Sequence, residues 1–154
     1  MGKISSAVSG KLFAFDSAPL IYYLETHPEY SAVADELFGA IREGAASGLT
    51  STKTLMEVLV LPIREGRKSL AEQYRRLLTR TRGISIIPVD STFSEIAAKL
   101  RARHGWLRTP DALQVGTALV QRADLIVTND ERWKRLSEIP VIVLNDYAAA
   151  KPPA

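Results

Sequence analysis

Short runs rich in Ile, Val, Leu and Phe recur five times along the chain, at Leu12–Phe15, 49–51, 84–89, Leu125–Thr128 and 141–144, with stretches of helical period between them. Runs of this length and composition read as buried strands, the one at 49–51 being the weakest. Between them, Val33, Leu37, Phe38 and Ile41 fall on one face of a helix. So do Leu70, Tyr74 and Leu77, and again Phe93, Ile96, Ala97 and Leu100. Strands that alternate with helices need crossover connections, which give a mainly parallel sheet covered on both faces. The expected class is therefore α/β, a central sheet of about five strands flanked by helices.

At 154 residues the chain is long enough for one domain with a real core and too short for two. That domain is expected over 11–147, between flexible segments at 1–10 and 148–154, where GKISSAVSGK and AAAKPPA read as unanchored ends. A composition of 46% hydrophobic and 24% charged residues is that of a globular protein, and argues against disorder and against a membrane protein. No run of about 18 apolar residues occurs, and MGKISSAVSGKLFAFD lacks the apolar block of a secretory leader, so a cytoplasmic location is expected. The absence of cysteine excludes disulfides, thiolate metal sites and a cysteine nucleophile. His27 and His104 have no partner at ligand spacing, which argues against a zinc or Ser/His/Asp enzyme. No phosphate-cradling glycine loop is present. The formal charge is +3, with Arg64, Arg67, Lys68, Arg75, Arg76, Arg80 and Arg82 in one group and Arg101, Arg103 and Arg108 in another. Such groups suit a polyanion, and equally suit solvated helix faces.

In open parallel sheets, ligands bind outside the carboxyl ends of the strands. Four acids obey this geometry: Asp16 directly follows LFAF, Asp130 follows LIVTN, Asp111 lies in the first turn of TPDALQVGTALV, and Glu57 lies about two turns into the helix after the second strand. Asp16 and Asp130 also suit helix caps, and Asp111 suits the positive end of a helix dipole. In Thr109-Pro110-Asp111 the proline suits the first helical position. Thr92 with Glu95 has capping-box spacing, with Asp90 and Ser91 as rival caps. Glu57 is harder to place on a surface, because it interrupts TLMEVLVLP, an otherwise apolar run. A buried carboxylate needs a cation, a shifted pKa or the rim of a pocket. Two unit charges about 5 Å apart repel by roughly 3 kcal/mol at an effective dielectric near 20, so four carboxylates that meet require counter-charge. An all-oxygen set selects a hard divalent ion, Mg²⁺ or Mn²⁺. On that reading Glu57→Gln weakens metal binding and preserves or raises the stability of the metal-free fold.

The pieces FAFDSAPLIYYLE, LTSTKTLMEVL, TPDALQVGTAL and ADLIVTNDERW, in this order over nearly the whole chain, resemble the PIN-domain family, most closely its VapC-type toxins. The resemblance implies a Mg²⁺- or Mn²⁺-dependent endoribonuclease, the toxin of a type II toxin–antitoxin pair. Asp16, Glu57, Asp111 and Asp130 would be its acidic quartet, with Asp16 and Asp111 as principal ligands. Glu57 and Asp130 would complete the shell or orient the attacking water. Ser17, Thr128 and Asn129 match polar residues that support the acids or touch substrate. Gly116 departs from the alanine common in these toxins. The resemblance also implies RNA as substrate, a cognate antitoxin and a homodimer, with no membrane association. Trp106 and Trp133 are candidates for base stacking, though packing is the commoner use of a tryptophan.

Two other readings are open. A non-catalytic PIN-fold module that binds RNA or protein shares the fold. A receiver-like phosphoacceptor domain would use Asp16, Asp90 and Thr128, but needs a lysine after the last strand, where Asn145 and Asp146 stand.

Overall fold

The computed structural model describes residues 3–148. A short helix α1 (Ile4–Val8) leads into β1 (Leu12–Phe15), followed by α2 (Ser17–Leu24), α3 (Ser31–Arg42) and β2 (Ser47–Ser51). A second helix pair, α4 (Thr52–Arg64) and α5 (Lys68–Arg80), leads to β3 (Ile84–Ile87). A third pair, α6 (Ser91–Arg103) and α7 (Thr109–Val120), leads to β4 (Leu125–Thr128). A 3-10 turn at Glu131–Arg135 then precedes β5 (Val141–Val143). All pairings are parallel, and the strand order is β3-β2-β1-β4-β5. The expected α/β class and five-stranded parallel sheet are what the chain forms.

This order makes β1 the centre. The chain builds outward through β2 and β3, then returns to lay β4 on the other flank of β1. The reversal falls between β1 and β4, the point where open α/β sheets leave a crevice at their carboxyl edge. Asp16 directly follows β1 and Thr128 ends β4, and the Asp16 N–H donates to the Val127 carbonyl at 3.0 Å, extending the ladder into the crevice.

Side-chain alternation along β1 and β4 divides the core. Phe13, Phe15, Leu125 and Val127 face α1 to α5, where Leu37, Phe38 and Tyr74 pack on them. Ala14 and Ile126 face α6 and α7, with Leu100, Val115 and Trp133. Gly48 permits the close approach of α3 to the sheet, since a Cβ there would lie 2.8 Å from Ile41 Cδ1. Gly116 does the same for α6 on α7: a Cβ would sit 3.3 Å from the Phe93 carbonyl. Trp133 is therefore core, and Trp106 is capped by the Arg135 guanidinium, 4.9 Å from the ring centroid.

Some boundaries move. β3 ends at Ile87, before Pro88, which has no N–H to give the ladder. Asp90, rather than Thr92, caps α6 by accepting from the Thr92 and Phe93 N–H groups. The expected flexibility of 1–10 is corrected for residues 4–8, which form a helix whose Ile4 and Val8 are fully buried in the α3 side of the core. Of the expected flexible tail at 148–154, residues 149–154 lie outside the described residues. Among the described residues, no helix is long and apolar enough to cross a membrane.

Candidate active site

The carboxyl edge of the sheet gathers the predicted residues around Asp16. Its side chain accepts from the Ser17 N–H at 2.9 Å through Oδ1 and from the Thr128 hydroxyl at 3.2 Å through Oδ2. The Thr128 oxygen in turn accepts from the Asp130 N–H at 3.2 Å, so one hydroxyl links the acids that follow β1 and β4. The cap and ligand roles considered for Asp16 are thus compatible, because capping uses only part of its oxygen capacity.

Glu57 has a partner in its own helix. Lys53 Nζ lies 2.7 Å from Glu57 Oε1 and 3.5 Å from Asp16 Oδ1, and the Lys53 side chain is only 6% exposed. The Ser17 hydroxyl donates to Glu57 Oε2 at 2.7 Å. The cation that the apolar run demanded is therefore present one helical turn earlier, and this corrects the expected consequence of neutralising Glu57. Glu57→Gln leaves a buried ammonium with a single, more distant carboxylate. Loss of a charged hydrogen bond of this kind costs about 1.5–3 kcal/mol. The metal-free variant should melt roughly 3–10 °C lower by calorimetry. An unchanged or higher Tm would show that Asp16 alone satisfies Lys53.

Asp111 projects from the first turn of α7, its side chain 8% exposed, with Arg108 Nε 3.2 Å from Oδ2. Burial pushes its pKa up, the Asp16 charge adds to the rise, and Arg108 and Lys53 oppose it. A carboxyl whose folded pKa exceeds its unfolded value costs stability once ionised, and that cost is relieved as pH falls through the folded pKa. Asp111→Asn in chelator should therefore raise Tm at pH 7, and the gap to wild type should close as pH approaches the ordinary carboxylate range. A lower Tm at pH 7 would mean that the Arg108 contact outweighs burial.

Asp130 is turned toward Arg132, whose Nη2 lies 2.6 Å from Oδ2. That hydrogen bond holds its carboxyl below the usual range, against the opposing effect of burial. Asn129 is engaged on both amide atoms, donating to the Tyr22 hydroxyl at 3.3 Å and accepting from the Asn145 N–H at 2.9 Å. Asp90, the acid of the receiver-like reading, follows the edge strand β3, two strands from Asp16, so that pocket is not assembled. The second arginine group is mostly structural: Arg101 donates to the Leu107 carbonyl and Arg103 pairs with Glu138. In the first group, Arg67, Arg75 and Arg76 pair with glutamates.

Among the described residues, no three His, Asp or Glu side chains stand as a ready metal cage. Lys53, Arg108 and Arg132 each hold a carboxylate there. What the edge does bring together is two acids whose charges repel, Asp16 and Asp111, with an exposed Arg108 on Asp111 and a buried Lys53 beside Asp16. This donor set fits a hard divalent ion bound partly through water.

Residues 14–139 match the family model of the PIN domain. The chain belongs to the PIN domain family. The matched span contains all four acids. No curated protein matches the sequence. Solved structures similar to this PIN domain include VapBC2 from Rickettsia felis bound to a promoter DNA fragment, 15% identical, TM-score 0.69, covering 86% of this chain and 98% of that one. A toxin–antitoxin complex from Klebsiella pneumoniae is 22% identical, TM-score 0.64, covering 85% and 96%. DNA-bound VapBC from Salmonella typhimurium is 21% identical, TM-score 0.61, covering 87% and 98%. At these identities the likeness is one of fold.

The PIN site rests on a buried polar network that sequence reading did not find. Gln114, one turn after Asp111 and fully buried, donates to the Phe15 carbonyl at 2.8 Å and to Thr50 Oγ1 at 3.0 Å. Its own carbonyl accepts from the Ser51 and Thr54 hydroxyls at 2.9 and 3.3 Å. One amide thus ties α7, which carries Asp111, to the ends of β1 and β2 and the start of α4. The available signal was its i+3 spacing from Asp111 on the inward face.

Proposed function

We propose that this PIN domain is a Mg²⁺- or Mn²⁺-dependent endoribonuclease and the toxin of a toxin–antitoxin pair. The observation that carries the nuclease reading is the Asp16–Asp111 pair: two carboxylates from different elements, held at the switch point of the sheet against their mutual repulsion. A bound divalent ion would polarise a phosphodiester oxygen and acidify a water molecule. Asp16 and Asp111 would hold it, with the Thr128 hydroxyl fixing the Asp16 rotamer. Glu57 and Asp130 complete the shell or take the proton of the attacking water. Ser17 orients Glu57. Arg108 and Arg132, both with exposed side chains, are placed to neutralise phosphates flanking the scissile bond.

The antitoxin reading is supported by the similar solved structures, which are toxin–antitoxin and DNA-bound VapBC complexes. Helix α4 offers a contact surface for it. Met56, Val60 and Ile63 recur at helical spacing and, with Leu61, stay exposed beside the face that carries Lys53 and Glu57. A homodimer in the cytoplasm completes this reading. The three cations that already pair with the acids favour, as the second reading, a PIN scaffold that binds without cutting.

End-group analysis of cleaved RNA separates these possibilities. Attack by water leaves linear phosphate ends, whereas attack by the ribose 2′-hydroxyl leaves 2′,3′-cyclic phosphate. The expected products of Mg²⁺-driven cleavage are linear. Cyclic ends would overturn the water mechanism, and no cleavage of any RNA by antitoxin-free protein would support the scaffold.

A further inference from the structure

We infer that Lys53 permanently occupies the place a second metal ion would take, so that the site accepts one divalent ion per chain, seated on the Asp16–Asp111 side. The inference rests on the metal-dependent reading above and concerns what Lys53 does to it. Two-metal nuclease sites place two ions about 3.5–4 Å apart with carboxylates bridging or flanking both. Here a cation already stands between two of the acids: Lys53 Nζ lies 2.7 Å from Glu57 Oε1 and 3.5 Å from Asp16 Oδ1. Glu57 Oε2 is also engaged, by the Ser17 hydroxyl, while Asp16 Oδ2 accepts one hydrogen bond, from the Thr128 hydroxyl, and keeps a lone pair for an ion on its Asp111 side.

The site is asymmetric in what an incoming ion must displace. On the Asp111 side the cation in place is Arg108, whose side chain is 69% exposed and free to swing into water. On the Glu57 side it is a buried ammonium whose stem is enclosed by the fold. Charge counting agrees. With Lys53 in place and Asp130 paired with Arg132, one divalent ion brings Asp16, Glu57 and Asp111 to neutrality, and a second would leave the pocket positive. Lys53 is thus a positioning residue: it fixes Glu57 away from the metal, toward the water or proton side of the reaction.

The test is Mn²⁺ binding to the full chain, followed by calorimetric titration and by electron paramagnetic resonance, which detects coupling between neighbouring Mn²⁺ ions. Wild type should bind one uncoupled ion. Lys53→Met, which keeps the apolar stem and removes the charge, should bind a second, coupled ion and gain more Tm from Mn²⁺ than wild type does. Lys53→Arg should stay at one. A coupled pair in wild type would overturn the inference while leaving the metal reading intact, as would a Lys53→Met variant that binds one ion. No Mn²⁺ binding by wild type would overturn both. Should Lys53→Met fail to fold, a coupled pair of ions in wild type or in Lys53→Arg would still overturn the inference.

Discussion

Asp16→Asn should cut RNA at least 100-fold more slowly than wild type at saturating Mn²⁺, with its fold preserved. The size follows from losing a charge aimed at the reacting centre, where one preorganised interaction carries about 10²–10³ in rate. The structure explains why folding should survive. The asparagine oxygen still accepts from the Ser17 N–H, its amide can donate to Thr128 Oγ1, and Lys53 keeps its closer partner, Glu57. Matched far-ultraviolet dichroism with lost cleavage is the expected pair of results. Near-wild-type cleavage by a folded Asp16→Asn protein would remove Asp16 from the centre of the site.

The largest stability effect is expected from Gln114→Leu. Leucine fills similar volume but makes none of the four hydrogen bonds, leaving the Ser51 and Thr54 hydroxyls short of their acceptor in a buried place. Buried polar groups deprived of partners cost about 1–3 kcal/mol each, and some repair through Thr50, which still reaches the Phe15 carbonyl, is available. A net loss of about 2–4 kcal/mol is expected, or roughly 5–12 °C in Tm for a chain of this size. Cleavage should fall as well, measured below the variant's melting range, because Asp111 and Asp16 lose the amide that ties their elements. A melting point within a degree or two of wild type would show that the network is redundant.

The fold was legible because its signal is local. Four of the five strands are runs of branched and aromatic residues, and Asp16, Thr128 and Asp130 could be placed simply by following those runs to their ends. β2 was the weak case, since Ser47 and Gly48 carry no strand signal of their own. Its pairing with β1 and β3 is enforced by the sheet. Helix α1 was missed because five residues are too few to show a period, and isolated helices so short do not hold in water. Only the tertiary packing of Ile4 and Val8 makes it a helix.

At the site, the types of residue were readable and their partners were not. Lys53 and Glu57 are four apart on one helix, a spacing that ordinarily marks a weak surface pair. What changes its meaning is that α4 starts directly at the end of β2, which presses Lys53 into the crevice beside Asp16. Gln114 escaped notice for a similar reason: its importance lies in groups from β1, β2 and α4 that only the fold assembles. A carboxylate among apolar residues signals from sequence alone that Glu57 needs a partner. Finding that partner, a lysine inside the chain, required three dimensions.

The most direct measurement is cleavage of an RNA substrate by chelator-stripped, antitoxin-free protein, with Mg²⁺ or Mn²⁺ then added back. Cutting should be absent in chelator, return with either ion, and stay at least 100-fold slower in Asp16→Asn at saturating ion. Equal cleavage with and without chelator would contradict the account at its centre.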